Sequence, residues 1–182
     1  MKRRDLFIVL LVPLAVLLIP LVGNATVEGW NWTWRDFAVA WAVFAATTLF
    51  FRFLVTRPAA NFSYKAGAAL GVAGGFLITW ITMAVQVIGD DNPGNLLYLL
   101  TVLGGFAGVF AARFRPAGLA RVAFGMAAVL LCIPVVAVWL WPADFSPGYL
   151  KVQLLSGGFA GLFGASGLCF RHAAAEAAAA NA

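Results

Sequence analysis

An all-α, polytopic membrane bundle of six transmembrane helices is predicted by three observations. The chain has 182 residues, of which 63% are hydrophobic and only 10% charged, whereas soluble domains carry about 25% charged residues. The apolar residues gather into six runs, each close to the roughly 20 residues a helix needs to cross a bilayer. The basic residues sit between these runs or at their ends, the arrangement by which short loops set membrane orientation. A soluble core of this size has no room for so much apolar surface, so lipid is the expected solvent for much of it.

The first run spans Leu6 to Val22 behind the basic start "MKRR" and contains Pro13 and Pro20. Proline is tolerated in membrane helices, where neighbours re-satisfy the freed carbonyls, so kinks are expected there and at Pro134. Gly23 and Ala25 in "GNAT" resemble a signal-peptide cleavage site. The run is longer than the usual 7–15 residues of such a peptide, so a retained anchor is expected. The second run spans Phe37 to Val55, and Arg52 near its end can snorkel to the interface. The third spans Ala66 to Gly89, and the fourth, Leu96 to Ala112, is the shortest. The fifth spans Leu119 to Trp141 and the sixth Leu150 to Phe170. Residues 1–172 thus form a single transmembrane domain, followed by an alanine-rich tail at 173–182 with no assigned function.

Basic residues orient this frame. With the N-terminus cytoplasmic, Lys2, Arg3, Arg4, Arg52, Arg57, Lys65, Arg113, Arg115, Arg121 and Arg171 lie inside, and only Arg35 and Lys151 outside. Ten against two places both termini in the cytoplasm, which for a bacterial chain means the inner membrane. Trp30, Trp32, Trp34, Trp41, Trp139 and Trp141 then cluster towards the outer interface, as an aromatic belt does. A carbohydrate or cofactor platform at "WNWTW" is the sharper alternative.

The third run carries one stripe at helical spacing. Gly67, Gly71 and Gly75 recur every four residues, and Thr79, Thr82, Gln86 and Asp90 continue the face. Small residues let helix backbones approach in lipid, and polar ones bond across, so packing is the first reading. A polar half-channel ending at Asp90 is the second. Gly104, Gly108 and Ala112 in the fourth run, and Gly157, Gly161 and Ala165 in the sixth, offer matching ridges. The stripe leads into "IGDDNPGNLLY" (Ile88 to Tyr98). Asn92 caps a helix that begins at Pro93, and Asp90, Asp91 and Asn95 complete a tight outer hairpin. The same oxygens offer a weaker cation site. On the other side, Arg113, Arg115 and Arg121 form a basic turn suited to anionic lipid.

"DNPGNLLYLLTVLGGFAGVF" and "DFSPGYLKVQLLSGGFAGLF" both run from an acid through Pro-Gly to "GGFAG". Two parallel hairpin repeats would explain this, and so would the abundance of Gly, Ala and Phe in membrane helices. "GASG" (Gly164 to Gly167) resembles the nucleophile motif of rhomboid proteases. Such an enzyme needs a base on a second helix, and the one histidine, His172, falls on the same helix as Ser166. That shortage also argues against a haem or zinc site, so no catalytic residue and no cofactor are expected.

"NWTWRDF", "IGDDNPGNLLY" and "ARFRPAGLARVAF", in this order from Asn31 to Phe124, resemble a family of small uncharacterised bacterial multi-pass inner-membrane proteins. The resemblance implies that architecture and no activity or site residue. The expected function is a non-enzymatic accessory or structural membrane subunit, with a small-solute or ion transporter or channel as the alternative. Expected partners are the lipid bilayer and a membrane protein or second copy, with no nucleic acid.

Overall fold

The computed structural model describes residues 3–57, 60–89, 92–142 and 148–180. Among them stand six helices: α1 (Arg3–Thr26), α2 (Trp34–Val55), α3 (Phe62–Val85), α4 (Asn95–Ala111), α5 (Pro116–Leu140) and α6 (Tyr149–Ala179). The fold is an all-α helical bundle. All except α4 are long and apolar enough to cross a membrane. At 1.5 Å per residue, the 17 residues of α4 reach about 26 Å, short of a hydrocarbon core of about 30 Å. Six helices stand where the six apolar runs were expected, and the fourth is the short one, as its run is.

Most ends move outward from the apolar runs because polar residues cap them. Thr33 donates both its N–H and its hydroxyl to Asp36 Oδ2, at 2.7 and 2.8 Å, and so opens α2 three residues before Phe37. Asn61 Oδ1 accepts from the Tyr64 N–H at 2.8 Å and opens α3 before Ala66. Pro116 opens α5, where its missing N–H costs nothing. The alanine-rich tail continues α6 to Ala179, as the best helix former should.

The chain divides into two compact units, Met1–Arg57 and Pro58–Ala182. In the first, α1 packs on α2. Asn24 pairs with the backbone of Trp32, accepting from its N–H at 2.8 Å and donating to its carbonyl at 3.3 Å. The Trp30 ring lies over Gly23, where a Cβ would come within 2.7 Å of it. Trp30 and Trp32 therefore fasten the connecting turn rather than face outward. Trp34 and Trp139 are the strongly exposed tryptophans, and Trp141 packs against the core of the second unit.

In the second unit the main packing runs round a ring: α3 meets α4 and α6, and α5 meets α4 and α6. The core between them holds Ile78, Ile88, Tyr98, Leu130, Val152, Phe159 and Phe163. Outward faces are oilier than a soluble protein tolerates, with Leu100, Leu103, Leu150, Leu154 and Leu168 all more than half exposed. Such faces are the mark of a membrane-embedded chain. The ring of contacts fits a parallel repeat, but so does any four-helix ring joined in sequence. The side chains break the likeness. Phe106 is 48% exposed whereas its counterpart Phe159 is 4% exposed, and Ala107 is exposed whereas Ala160 is buried. The two "GGFAG" motifs present opposite faces.

Candidate functional site

Most of the described residues between α3 and α4 are buried. Gln86 leaves the helix at φ +48°, four residues short of the predicted end at Gly89. From there Val87, Ile88, Gly89, Asn92 and Gly94 are all buried. Irregular backbone survives at membrane depth only where protein covers it and its polar groups find partners. One side chain supplies most of them. Asn95 Oδ1 accepts from the Ile88 N–H at 3.0 Å, and Asn95 Nδ2 donates to the Gly89 carbonyl at 2.9 Å. The same Nδ2 lies 3.5 Å from Gln86 Oε1. Asn92 Oδ1 accepts from the Gly94 N–H at 2.7 Å. A Cβ on Gly94 would come within 2.7 Å of Ile88 Cδ1 and 2.8 Å of Asn92 Oδ1, so glycine is needed there for close approach.

The predicted cap is thereby modified. Asn92 does brace the turn, but the helix begins at Asn95 rather than Pro93. Bonds from Asn95, Leu96 and Leu97 back to Asn92, Pro93 and Gly94 form a tighter turn ahead of it. Asp90 and Asp91 lie outside the described residues. Asn95 already commits its oxygen to Ile88. Among the described residues no cluster of three His, Cys, Asp or Glu side chains is placed to hold a metal.

Below this knot the polar stripe of α3 splits in its roles. The Thr79 hydroxyl donates back to the Gly75 carbonyl at 2.8 Å, within its own helix. Thr82 is 6% exposed and its Oγ1 has no partner. A buried hydroxyl without a hydrogen bond costs about 1–3 kcal/mol. Thr82→Val keeps the shape and removes that burden, so it should raise the unfolding midpoint in detergent by the equivalent of about 1 kcal/mol. A lower midpoint would show that the hydroxyl has a ligand or water to serve.

The glycines divide as well. A Cβ on Gly67 would lie 3.1 Å from the Phe170 ring and from the Ser166 carbonyl, and one on Gly71 would lie 3.0 Å from Ser166 Oγ. These two face α6. Gly75 has nothing within 4 Å, and Gly74, one position back, takes the close contact with Phe163 instead. The partners are not the predicted ridges. Gly157 and Gly161 of α6 have open space around them, as does Gly104 of α4. Gly108 sits under Val122 of α5, and Gly105 under Met126. So α6 meets α3 with Phe163, Ser166 and Phe170, a large-into-small fit rather than small against small.

Three further links were not legible in the sequence. Tyr98, fully buried, shares a 2.7 Å hydrogen bond with Ser156 and ties α4 to α6. Ser166, the serine of the "GASG" motif, donates to the Gly67 carbonyl at 2.7 Å. Its hydroxyl thus joins α6 to α3. At the far end Glu176 accepts from Asn61 Nδ2 and, at 3.4 Å, from Ser63, with His172 Nε2 3.1 Å away. Tyr64 completes that end, its hydroxyl donating to the Phe114 carbonyl at 3.2 Å and its ring meeting Phe170 edge-on. Apart from His172 and Glu176, one turn apart on α6, each pair lies 50 to 115 residues apart in the chain, so no local pattern announces it.

Arg113, Arg115 and Arg121 stand exposed around the α4–α5 turn. The Phe114 N–H bonds to the Val109 carbonyl and the Arg113 N–H to that of Phe110, which closes α4 in a Schellman motif. Arg113 takes the left-handed position, φ +51°, where glycine is usual. Beside this turn a groove of about 440 Å³ runs between α4 and α5. No protein-family model, no curated protein and no solved structure matches this chain.

Proposed function

We propose that the chain is a non-enzymatic accessory or assembly subunit of a bacterial inner membrane, a multi-pass protein with both termini in the cytoplasm. The observation that carries this reading is where the buried polar atoms go. Tyr98 and Ser156 bond to each other, Ser166 bonds to α3, and Asn95 holds a connecting turn. Each joins one part of the protein to another instead of facing a reacting centre. The ten-to-two division of basic residues supports the orientation. The resemblance to small bacterial inner-membrane proteins, from residue 29 to 124, supports the compartment.

A small-solute or ion transporter is the second reading. It is favoured by Thr82 Oγ1, Asn92 Nδ2 and Gln153 Oε1, all buried without a partner. Against it, a transport pathway usually needs an ionisable group facing inward. Lys65, Arg121, Lys151, Arg171 and Glu176, the described charged residues of α3 to α6, are all exposed. Purification from native membranes in mild detergent separates the two readings. The accessory role predicts a membrane-protein partner at fixed stoichiometry. A chain that purifies alone and gains thermal stability with a small solute would overturn it in favour of transport.

A further inference from the structure

We infer that the groove between α4 and α5 holds one acyl chain of an anionic phospholipid whose headgroup is gripped by Arg113, Arg115 and Arg121. The groove exists because its walls lack side chains. A Cβ on Gly104 or Gly125 would meet nothing within 4 Å, and Gly108 leaves Val122 as the neighbouring wall. Apart from Thr101 its lining is apolar, and the Thr101 hydroxyl is spent on the Leu97 carbonyl at 2.7 Å. A groove like this, open sideways in a bilayer, presents nothing that a second headgroup or a solute would prefer.

Length and charge select the occupant. From Gly108 to Leu97 the groove follows α4 for about 16 Å at 1.5 Å per residue. One leaflet of a hydrocarbon core about 30 Å thick is about 15 Å deep. The groove therefore spans one leaflet, and its Gly108 end abuts the basic turn. Arg121, Gly125 and Val129 lie at four-residue spacing on one face of α5, so the arginine sits one turn beyond the groove's glycine. A helical side chain leans towards the N-terminus of its helix, which carries Arg121 to the headgroup layer. Among the described residues, none of the three arginines meets an acid.

This inference rests on the membrane reading of the chain and is independent of the accessory role. The full chain, delipidated in detergent, is titrated with phosphatidylglycerol, phosphatidylcholine and single-chain lysophosphatidylglycerol, and bound lipid is read by native mass spectrometry. Phosphatidylglycerol and its single-chain form should bind one per chain, in preference to phosphatidylcholine. Arg113→Gln, Arg115→Gln and Arg121→Gln together should weaken phosphatidylglycerol binding by up to roughly a hundredfold, at about fivefold for each basic residue. Gly125→Leu, which fills open space and leaves the helix intact, should abolish the single bound lipid while circular dichroism and melting stay unchanged. Lipid lost with the arginines but kept in Gly125→Leu would overturn the groove and leave only a charged surface. A dimer of the wild-type chain that Gly125→Leu dissociates would overturn it in favour of a second copy. A chain that stays soluble without detergent would instead sink the membrane reading itself.

Discussion

Asn95→Ala should lower the unfolding midpoint in detergent more than any other single side-chain truncation in the α3–α4 connection. The Ile88 N–H and the Gly89 carbonyl would both lose their partner inside a buried segment. Each orphaned group costs about 1–3 kcal/mol, so the total loss is about 2–6 kcal/mol. Replacement of the amide by a methyl also leaves a void under Ile88, a fully buried residue. Asn95→Asp tests the assignment at nearly constant volume. It keeps an acceptor for Ile88 but turns an oxygen towards the Gly89 carbonyl where a donor is needed, so it should be about as damaging as alanine. Thermal melts of the three proteins in one detergent decide the matter. A loss below about 1 kcal/mol in Asn95→Ala would mean that the turn is held by packing, with the amide incidental.

Gly67→Leu should be the second severe change. The new side chain would start 3.1 Å from both the Phe170 ring and the Ser166 carbonyl. To fit, α3 and α6 must part, and the Ser166 bond to Gly67 goes with them. Overpacking costs about 1–3 kcal/mol and the hydrogen bond about 1 more. Gly71→Leu, aimed at the Ser166 hydroxyl, should follow at a smaller cost because a side chain yields more easily than backbone. Gly75→Leu is the control. It meets open space and replaces a poor helix former, so it should be neutral or mildly stabilising. Equal losses at Gly67 and Gly75 would overturn the α3–α6 contact. Gln86→Leu, at the other end of the stripe, removes the 3.5 Å contact with Asn95 at a position whose φ of +48° the wild-type glutamine already carries. Its cost should be near 1 kcal/mol.

What could be read from the sequence was whatever depends on composition and short-range order. Apolar runs gave the all-α class and the position of every helix, because a backbone in lipid must satisfy its own hydrogen bonds and the α-helix does so locally. Caps at Thr33 and Asn61 and the proline at Pro116 lie in the sequence too, and they start their helices a few residues ahead of the apolar runs. The glycine stripe pointed to close packing of the third helix, and two of its three glycines lie against α6.

Only the tertiary structure decided which face of each helix is buried and what its polar atoms meet. Periodicity is weak when both lipid and protein neighbours are apolar, since hydrophobicity no longer marks the inside. Equal motifs such as the two "GGFAG" segments then take opposite faces, and Phe159 is buried where Phe106 is exposed. The turn at Ile88 to Asn95 carries the same lesson. Its acids, asparagines, proline and glycine are the residues of a solvent-exposed hairpin. The burial of Ile88, Gly89, Asn92 and Gly94 depends on Asn95 reaching back to Ile88 and Gly89 while Tyr98, one turn on, binds Ser156 across the bundle. A bond between residues 58 positions apart has no local signature. Its partners meet only once four helices have closed into a ring, and that closure is what converts a polar loop into part of the core.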